Sequence, residues 1–417
     1  MQAPLDHRAL YRLPWNLADN PIVWLEPTQA CNLACDGCYR KNVKTHQALA
    51  QVQEDLDTFA RLRNFDGVSI AGGDPLCHPE VVDIVRMVKR MGRKPILNTN
   101  GLELNRDLLV ELKRAGLVGI TFHVDSRQGR PRWRDKTEGQ MNELRSIFAE
   151  MVASVGGISC AFNSTVYEDT LSQVPDIVTW AAANADKVHT VVFITYRAAA
   201  LDGFAYSAGG HPVDMGEIVY SSDLPRRLDI TSRDVVAAIQ ERYPDFRPAA
   251  YLNGTEKPDS FKWLLALRAA TRGRVHGYLG PKFVEATQVG YHFAKGRYLA
   301  YAPSWALGLG RAALLGSAWD PGSRAAARAY LRSMVAHPGS LRERVHLQAI
   351  MVIQPIDVLE DGRQNMCDGC PDMTLHEGRL AWSCRLEELR RFGSFVSTVP
   401  KSGPSASATR SASPTCP

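Results

Sequence analysis

Glu26-Pro27-Thr28-Gln29-Ala30-Cys31-Asn32-Leu33-Ala34-Cys35-Asp36-Gly37-Cys38-Tyr39 is the stretch that decides the fold. It follows a β-branched run at residues 22–26 and places three cysteines within eight residues. Spacings of three and then two residues let one short loop wrap a cubane. Three thiolates leave one iron of a 4Fe–4S cluster open to a further ligand. An open iron can bind a substrate or cofactor directly, which a fully ligated electron-transfer cluster cannot do. Zinc is one alternative, but it usually takes four ligands, and His46 is the only nearby fourth. Unrelated buried cysteines are the other.

Outward from this loop, β-branched runs alternate with helical patterns. Strands are predicted at 22–26, 67–71, 95–99, 118–124, 158–166 and 188–196. Between them, residues 79–91 place Val82, Val85, Val88 and Met91 about three apart, a helical period. Residues 107–115 end at Gly116, a suitable helix C-terminal glycine. Residues 142–155 and 171–184 follow the same rule. β–α units in series imply a parallel sheet, because parallel neighbours need a crossover helix. Periodicity alone leaves barrel and doubly wound sheet both open.

The motifs at the strand ends decide between them. The C-x3-C-x2-C loop resembles the signature of the radical S-adenosylmethionine (SAM) superfamily. Ala71-Gly72-Gly73-Asp74-Pro75 after the second strand is similar to that family's GGE motif. Bare glycines there permit close backbone approach. Asn98-Thr99-Asn100-Gly101 ends the third strand, and Phe122-His123-Val124-Asp125-Ser126 ends the fourth, with His123 where the family often has serine. Asn163 lies in the fifth strand. The resemblance covers about residues 20–200. It implies a (β/α)6 partial TIM-like barrel whose active face is the C-terminal end of the strands. It implies metal ligation by Cys31, Cys35 and Cys38. It also implies SAM contacts from Tyr39, Gly72, Gly73, Asp74, Pro75, Asn100, His123, Asp125 and Asn163. One departure is Gly37, where the family usually has an aromatic residue. The implied chemistry starts when the methionyl amine and carboxylate chelate the open iron. One electron then cleaves the C5′–S bond, and the 5′-deoxyadenosyl radical abstracts hydrogen from a substrate. The cofactors carry that chemistry and the protein orients them. An electron donor such as flavodoxin or ferredoxin is implied as partner.

A second cysteine group, Cys367-Asp368-Gly369-Cys370 with Cys384, has the pattern C-x2-C-x13-C. Residues 373–382 read as two short strands around a Glu377-Gly378 turn. Such a hairpin would return Cys384 to Cys367 and Cys370. One reading is an auxiliary 4Fe–4S cluster, with His376, Asp372 or substrate as fourth ligand. The other is structural zinc with His376. This segment, with Ile230-Thr231 and Asp234, resembles the group that includes the archaeal tetraether-lipid synthase and the class D-like methylases. Cys77, Cys160 and Cys416 carry no assigned role.

Composition bounds the rest. The chain has 417 residues, 45% of them apolar and 22% charged, which excludes wholesale disorder, collagen and coiled coil. Nine cysteines are too few for a small disulfide scaffold. The net charge of +5 shows no basic run and gives no indication of nucleic acid. The N-terminus lacks the apolar run of a signal peptide. Residues 300–319 are the best membrane candidate. They are broken by Pro303, three glycines and Arg311, short of the ~20 clean apolar residues a span needs. No transmembrane segment and a cytoplasmic location are expected.

The expected organisation is an N-terminal extension at 1–19, the barrel at 20–200 and a substrate-covering region at 201–355. An α+β auxiliary-cluster module follows at 356–395, then a disordered tail at 396–417. Residues 201–216 read as a loop. Residues 232–243 and 322–337 read as helices, the first capped by Thr231 or Ser232. The short N-terminal extension leaves no room for a cobalamin or leader-peptide domain, so a small-molecule or lipid substrate is favoured. C–C bond formation, alkyl transfer or oxidation are the expected outcomes. The rival reading is a non-catalytic iron–sulfur or zinc protein of structural or redox-sensing role.

Overall fold

The computed structural model describes residues 5–198, 200–218, 229–315, 319–336 and 342–401. Six strands follow one another in parallel: β1 (Ile22–Leu25), β2 (Gly67–Ile70), β3 (Lys94–Thr99), β4 (Gly119–His123), β5 (Ser159–Val166) and β6 (Thr190–Thr195). Each pairs with the next in sequence. The helices between them are α1 (Leu49–Leu62), α2 (Val81–Arg90), α3 (Arg106–Ala115), α4 (Asn142–Val155) and α5 (Val174–Ala183). The strands lie within two residues of the sequence expectation at either end. Gly116 adopts the left-handed cap expected of it, φ 113°.

Strand periodicity builds the two faces. Val23, Leu25, Val68, Ile70, Leu97, Ile120, Phe122 and Phe162 are fully buried and join the apolar faces of the helices in one core. The alternate residues Trp24, Ser69, Asn98, Thr121, Asn163 and Thr165 line a cavity on the concave side. The helix-covered face is uniformly apolar, the concave face mixes polar and apolar side chains, and the sheet curls as a partial barrel.

The sheet does not end at residue 200. After α6 (Ser232–Arg242), it gains β7 (Ala250–Leu252), β8 (Trp263–Thr271) and β9 (Arg274–Leu279). After α7 (Pro281–Lys295) and α8 (Pro321–Ala336) comes β10 (His346–Ile353), which pairs parallel with β6. β8 runs antiparallel to both β10 and β7, and Tyr11–Arg12 closes that edge, giving eleven strands among the described residues. The region at 201–355 is thus more than a cover, since it supplies four strands of the main sheet. Its small and aromatic residues (Ala266, Ala269, Ala270, Trp263) hide the alternation that would mark strands. The capping box that starts α6 is present, with Thr231 and Asp234 bonding reciprocally.

Two further expectations are corrected. The stretch at 201–216 contains strand Phe204–Ala208, which pairs with Val396–Pro400, so residues 396–400 are not loose. Two short segments far apart in sequence satisfy one another's backbone groups, which no local pattern reveals. Residues 402–417, with Cys416, lie outside the described residues. The stretch at 300–319 contains the short helices Ser304–Leu307 and Gly310–Leu315. Among the described residues, no helix is long and apolar enough to cross a membrane.

Candidate functional site

The loop after β1 lies across the C-terminal end of the strands, and Cys31, Cys35 and Cys38 all line the cavity there. Its path is fixed by the glycine pair after β2. Gly73 N–H donates to Thr28 O at 2.9 Å, and Asp74 N–H to Ala30 O at 2.8 Å. A Cβ on Gly72 would lie 2.2 Å from Thr28 O, and one on Gly73 would lie 2.3 Å from Ala30 O. The close approach expected of these glycines is therefore with the protein's own cysteine loop. Asp74 is buried; its carboxylate accepts from Leu76 N–H, Asn100 N–H and Thr99 Oγ at 2.6–2.9 Å. Burial pushes this carboxyl up despite those bonds. Pro75 opens the short turn that follows.

The remaining strand-end residues converge on the same rim. Asn100 Nδ2 lies 3.8 Å from Cys31 Sγ and donates to Asn32 Oδ1 at 2.7 Å. His123 Nε2 lies 2.8 Å from Asp125 Oδ2 and 3.2 Å from Thr165 Oγ. Burial pushes the Asp125 carboxyl up, but the His123 contact and the hydrogen bonds from Arg127 N–H and Thr165 N–H together leave it below the ordinary value. Asn163 Oδ1 and Asn98 Nδ2 are buried on the cavity wall with no hydrogen-bond partner among the described residues. Tyr39 borders the cavity and packs toward Met215, Ile218 and Val396, with the Arg40 guanidinium 4.8 Å from its ring centroid.

Gly37 has a local reason. A Cβ there would meet Tyr167 Oη at 2.5 Å, and the rings of Tyr167 and Tyr196 sit 5.0 Å apart beside it. The space an aromatic side chain at 37 would need is filled from β5 and β6.

The second cysteine segment meets the first. Arg40 donates through Nε to Glu26 Oε2 at 2.9 Å, through Nη2 to Glu26 Oε1, and to Ser383 Oγ at 2.8 Å. Arg63 donates to the carbonyls of Cys370 and Pro371, and Arg12 to Asp368 Oδ2 at 2.7 Å. The hairpin Met373–His376 with Arg379–Trp382 forms as expected around Glu377-Gly378, both with positive φ. Cys384 and Asp372 line the same cavity as the first three cysteines. Arg197 donates to Cys384 O at 2.7 Å and pairs with Glu388, so it serves the fold of this segment.

Among the described residues, no group of three His, Cys, Asp or Glu side chains converges as on a single metal ion. A cubane takes each thiolate on a different iron and needs no such convergence. The donor chemistry of the first loop fits that group. Its three thiols are free and burial pushes all three up; Asp74 and Cys38 add to this at Cys31, Asp125 and the other two thiols at Cys35, and Glu387 and Glu26 at Cys38. A cationic group among them reverses that cost. At the second site, a hydrogen bond from Cys370 lowers Cys367 and raises Cys370 itself. His46 instead bonds Thr28 Oγ at 2.8 Å. Cys160 is buried in β5, and Cys77 lies beneath the loop, pushed up to about 11 chiefly by burial.

Sequence reading missed the supports. Arg130 is buried and joins the ends of β3 and β4 by donating to Asn100 O at 2.6 Å and His123 O at 2.7 Å. Arg145 and Glu138 form a buried pair behind Val124. An isolated arginine in a loop or helix carries no local signal of burial. Farther along the chain, His292 pairs with Asp19, Arg297 faces Asp66, and Tyr301 bonds Thr121 inside the barrel.

Comparison with known proteins agrees with this geometry. Residues 25–181 match the radical SAM superfamily, and the chain carries a radical SAM domain. It is 38% identical over 106 residues to human molybdenum cofactor biosynthesis protein 1, covering 24% of this chain and 16% of that protein. It is 26% identical over 186 residues to the AdoMet-dependent heme synthase of Oleidesulfovibrio alaskensis, covering 41% and 46%. The match thus spans less than half the length of either relative. Among solved structures, SuiB of Streptococcus suis overlaps 55% of this chain and 47% of its own, at 16% identity and TM-score 0.40. Methylornithine synthase (PylB) overlaps 56% and 65%, at 11% identity and TM-score 0.37.

Proposed function

We propose that this chain is a radical SAM enzyme acting on a small-molecule or lipid substrate held in the barrel cavity. Cys31, Cys35 and Cys38 would hold a 4Fe–4S cluster. SAM would lie against Gly72 to Pro75, Asn100, His123, Asp125 and Asn163, with Tyr39 at the edge. The observation that carries the reading is the single cavity of about 730 Å³ shared by the cysteine loop, the strand-end polar groups and Cys384. A 4Fe–4S cluster held by Cys31, Cys35 and Cys38 would supply the one-electron reduction, drawn from an external donor, that cleaves SAM to methionine and a radical able to take one hydrogen atom from substrate.

The protein's own residues supply position and shielding. Asp74 and the glycine pair clamp the cysteine loop, and Arg130 fixes Asn100 and His123 at one level. The unpartnered Asn98 and Asn163 groups face the cavity as donors and acceptors for a polar ligand, since leaving them buried and unmet is costly. The opposite wall, from β6, β8 and β10, is apolar and would take the substrate.

Cys367, Cys370 and Cys384 would hold a second iron–sulfur cluster, with Asp372 facing the same cavity. It would accept an electron from a substrate radical or bind the substrate. C–C bond formation, alkyl transfer and oxidation remain the outcome classes. The test is anaerobic reconstitution, reduction and incubation with SAM. Release of 5′-deoxyadenosine is expected, and its absence from fully loaded protein overturns the reading in favour of a structural or redox-sensing role. In Cys31/Cys35/Cys38→Ala protein, residual iron is expected at the second site; none remaining excludes a second cluster.

A further inference from the structure

We infer that the surface formed by residues 281–315 and 319–336 docks on an anionic membrane and admits a hydrocarbon-tailed substrate from it. The docking stands independently; the admission of substrate rests on the function proposed above.

Three large apolar side chains stand out from this surface. Phe293 is 93% exposed, Val335 85% and Trp305 70%. Val289 precedes Phe293 by one turn on α7, and Leu331 precedes Val335 by one turn on α8, both also exposed. Residues four apart share a helix face, so each pair forms an outward apolar stripe. Isolated exposed apolar residues are ordinary, but a concentration of them marks an interaction surface.

These elements gather at one end of the barrel, the N-terminal end of the strands. Asp66, just before β2, accepts from Tyr291 Oη and Ala300 N–H. Gly310 N–H donates to Val345 O just before β10. Arg274, at the turn between β8 and β9, donates to Ser333 of α8 at 2.7 Å. The cysteine loops lie at the opposite end.

Charge identifies the partner. This surface contains seven Lys and Arg against two Asp and Glu, an excess as large as the whole chain's +5. The rest of the protein is therefore neutral on balance. Exposed Lys282, Lys295, Arg311, Arg328 and Arg332 accompany the apolar stripes. Apolar side chains beside clustered cations match the interface of an anionic bilayer.

The patch is continuous with the cavity. Pro303 and Trp305 are exposed and also line the cavity. Inward from them, Leu307, Leu347, Ala349, Met351 and Ile353 carry an apolar wall along β10. Leu347 to Ile353 spans roughly 20 Å at about 3.3 Å per residue. That exceeds the ~15 Å half-thickness of a bilayer's hydrocarbon core. One hydrocarbon chain laid along β10 would thus reach from this mouth to the cysteine loops within apolar surroundings.

The test is sedimentation of the full chain with phosphatidylglycerol vesicles and with phosphatidylcholine vesicles. Binding to the anionic vesicles alone is expected, weakening as salt rises from about 0.1 M to about 1 M. Phe293→Ser/Val335→Ser is expected to reduce partition by on the order of tenfold per side chain. Its release of 5′-deoxyadenosine in vesicle-free solution should be unchanged, since neither residue borders the cavity. Arg328→Gln/Arg332→Gln provides a second variant, expected to weaken binding mainly at low salt. Wild-type protein that stays in solution with anionic vesicles overturns the docking. So does sedimentation of both variants to the same extent as wild type, or a wild-type dimer that the serine variant dissociates without loss of vesicle binding. Loss of vesicle binding with normal 5′-deoxyadenosine release removes the docking alone. Vesicle binding without any 5′-deoxyadenosine removes the proposed function alone.

Discussion

Replacing Arg40 with Met tests the joint between the two cysteine segments. The side chains of Arg40 and Glu26 are only 6% and 4% exposed. The guanidinium bonds both Glu26 oxygens and Ser383 Oγ, next to Cys384. Without it, the Glu26 carboxylate keeps Ser383 Oγ at 3.2 Å and the Arg390 guanidinium at 4.0 Å, beyond hydrogen-bond reach. Removing one partner of a buried pair costs about 3–5 kcal/mol, of which the more distant Arg390 offsets only part. At roughly 1 °C per kcal/mol for a protein of this size, Tm should fall by about 3–6 °C. Glu26→Leu combined with Arg40→Met removes both charges, and most of the loss should return. Urea denaturation of the two single variants and the double variant closes the cycle and gives the coupling. A loss of less than about 1 kcal/mol in Arg40→Met, or a double variant destabilised by the sum of the singles, refutes the reasoning.

Gly72→Ala should lower both stability and iron retention after reconstitution, because φ is 107° and the new Cβ meets Thr28 O at 2.2 Å. Gly378→Ala, at φ 73° with nothing within 4 Å, should cost only the ~1–2 kcal/mol of left-handed strain and keep its iron. His189 is buried, its Nδ1 accepts from Cys160 N–H at 2.9 Å, and burial first, then His346, lower it to about 4. Between its ordinary value near 6.5 and about 4, the unfolded chain gains a proton that the folded chain refuses. Stability from this group is therefore full above that window and falls as pH falls through it, by at most about 3 kcal/mol. Urea midpoints from pH 7 to 5 should show this slope, and His189→Gln should flatten it. Ala349→Trp fills the apolar half of the cavity; substrate hydrogen transfer should drop while slow SAM cleavage persists, as read by deuterium incorporation into 5′-deoxyadenosine.

The sequence by itself determined what repeats locally or clusters within one loop. β-Branched runs with intervening helical periods specified six parallel strands, because an alternating or a 3.6-residue apolar pattern has one favourable way to be buried. The spacing of Cys31, Cys35 and Cys38, the glycine pair after the second strand, and the Glu377-Gly378 turn were legible for the same reason: each is a short-range geometric demand. Tertiary structure alone decided the rest. It brought β10 beside β6 across about 150 intervening residues and paired Phe204–Ala208 with Val396–Pro400. It committed Arg40, Arg130 and Arg197 to the site's scaffold, and it filled the space above Gly37 from Tyr167 and Tyr196. It also placed Cys384 on the cavity of the first loop and set the apolar side chains of α7 and α8 at the opposite end. Such contacts depend on which surfaces meet after the chain has closed on itself, and the energy of a buried ion pair or a filled void is written in no local period.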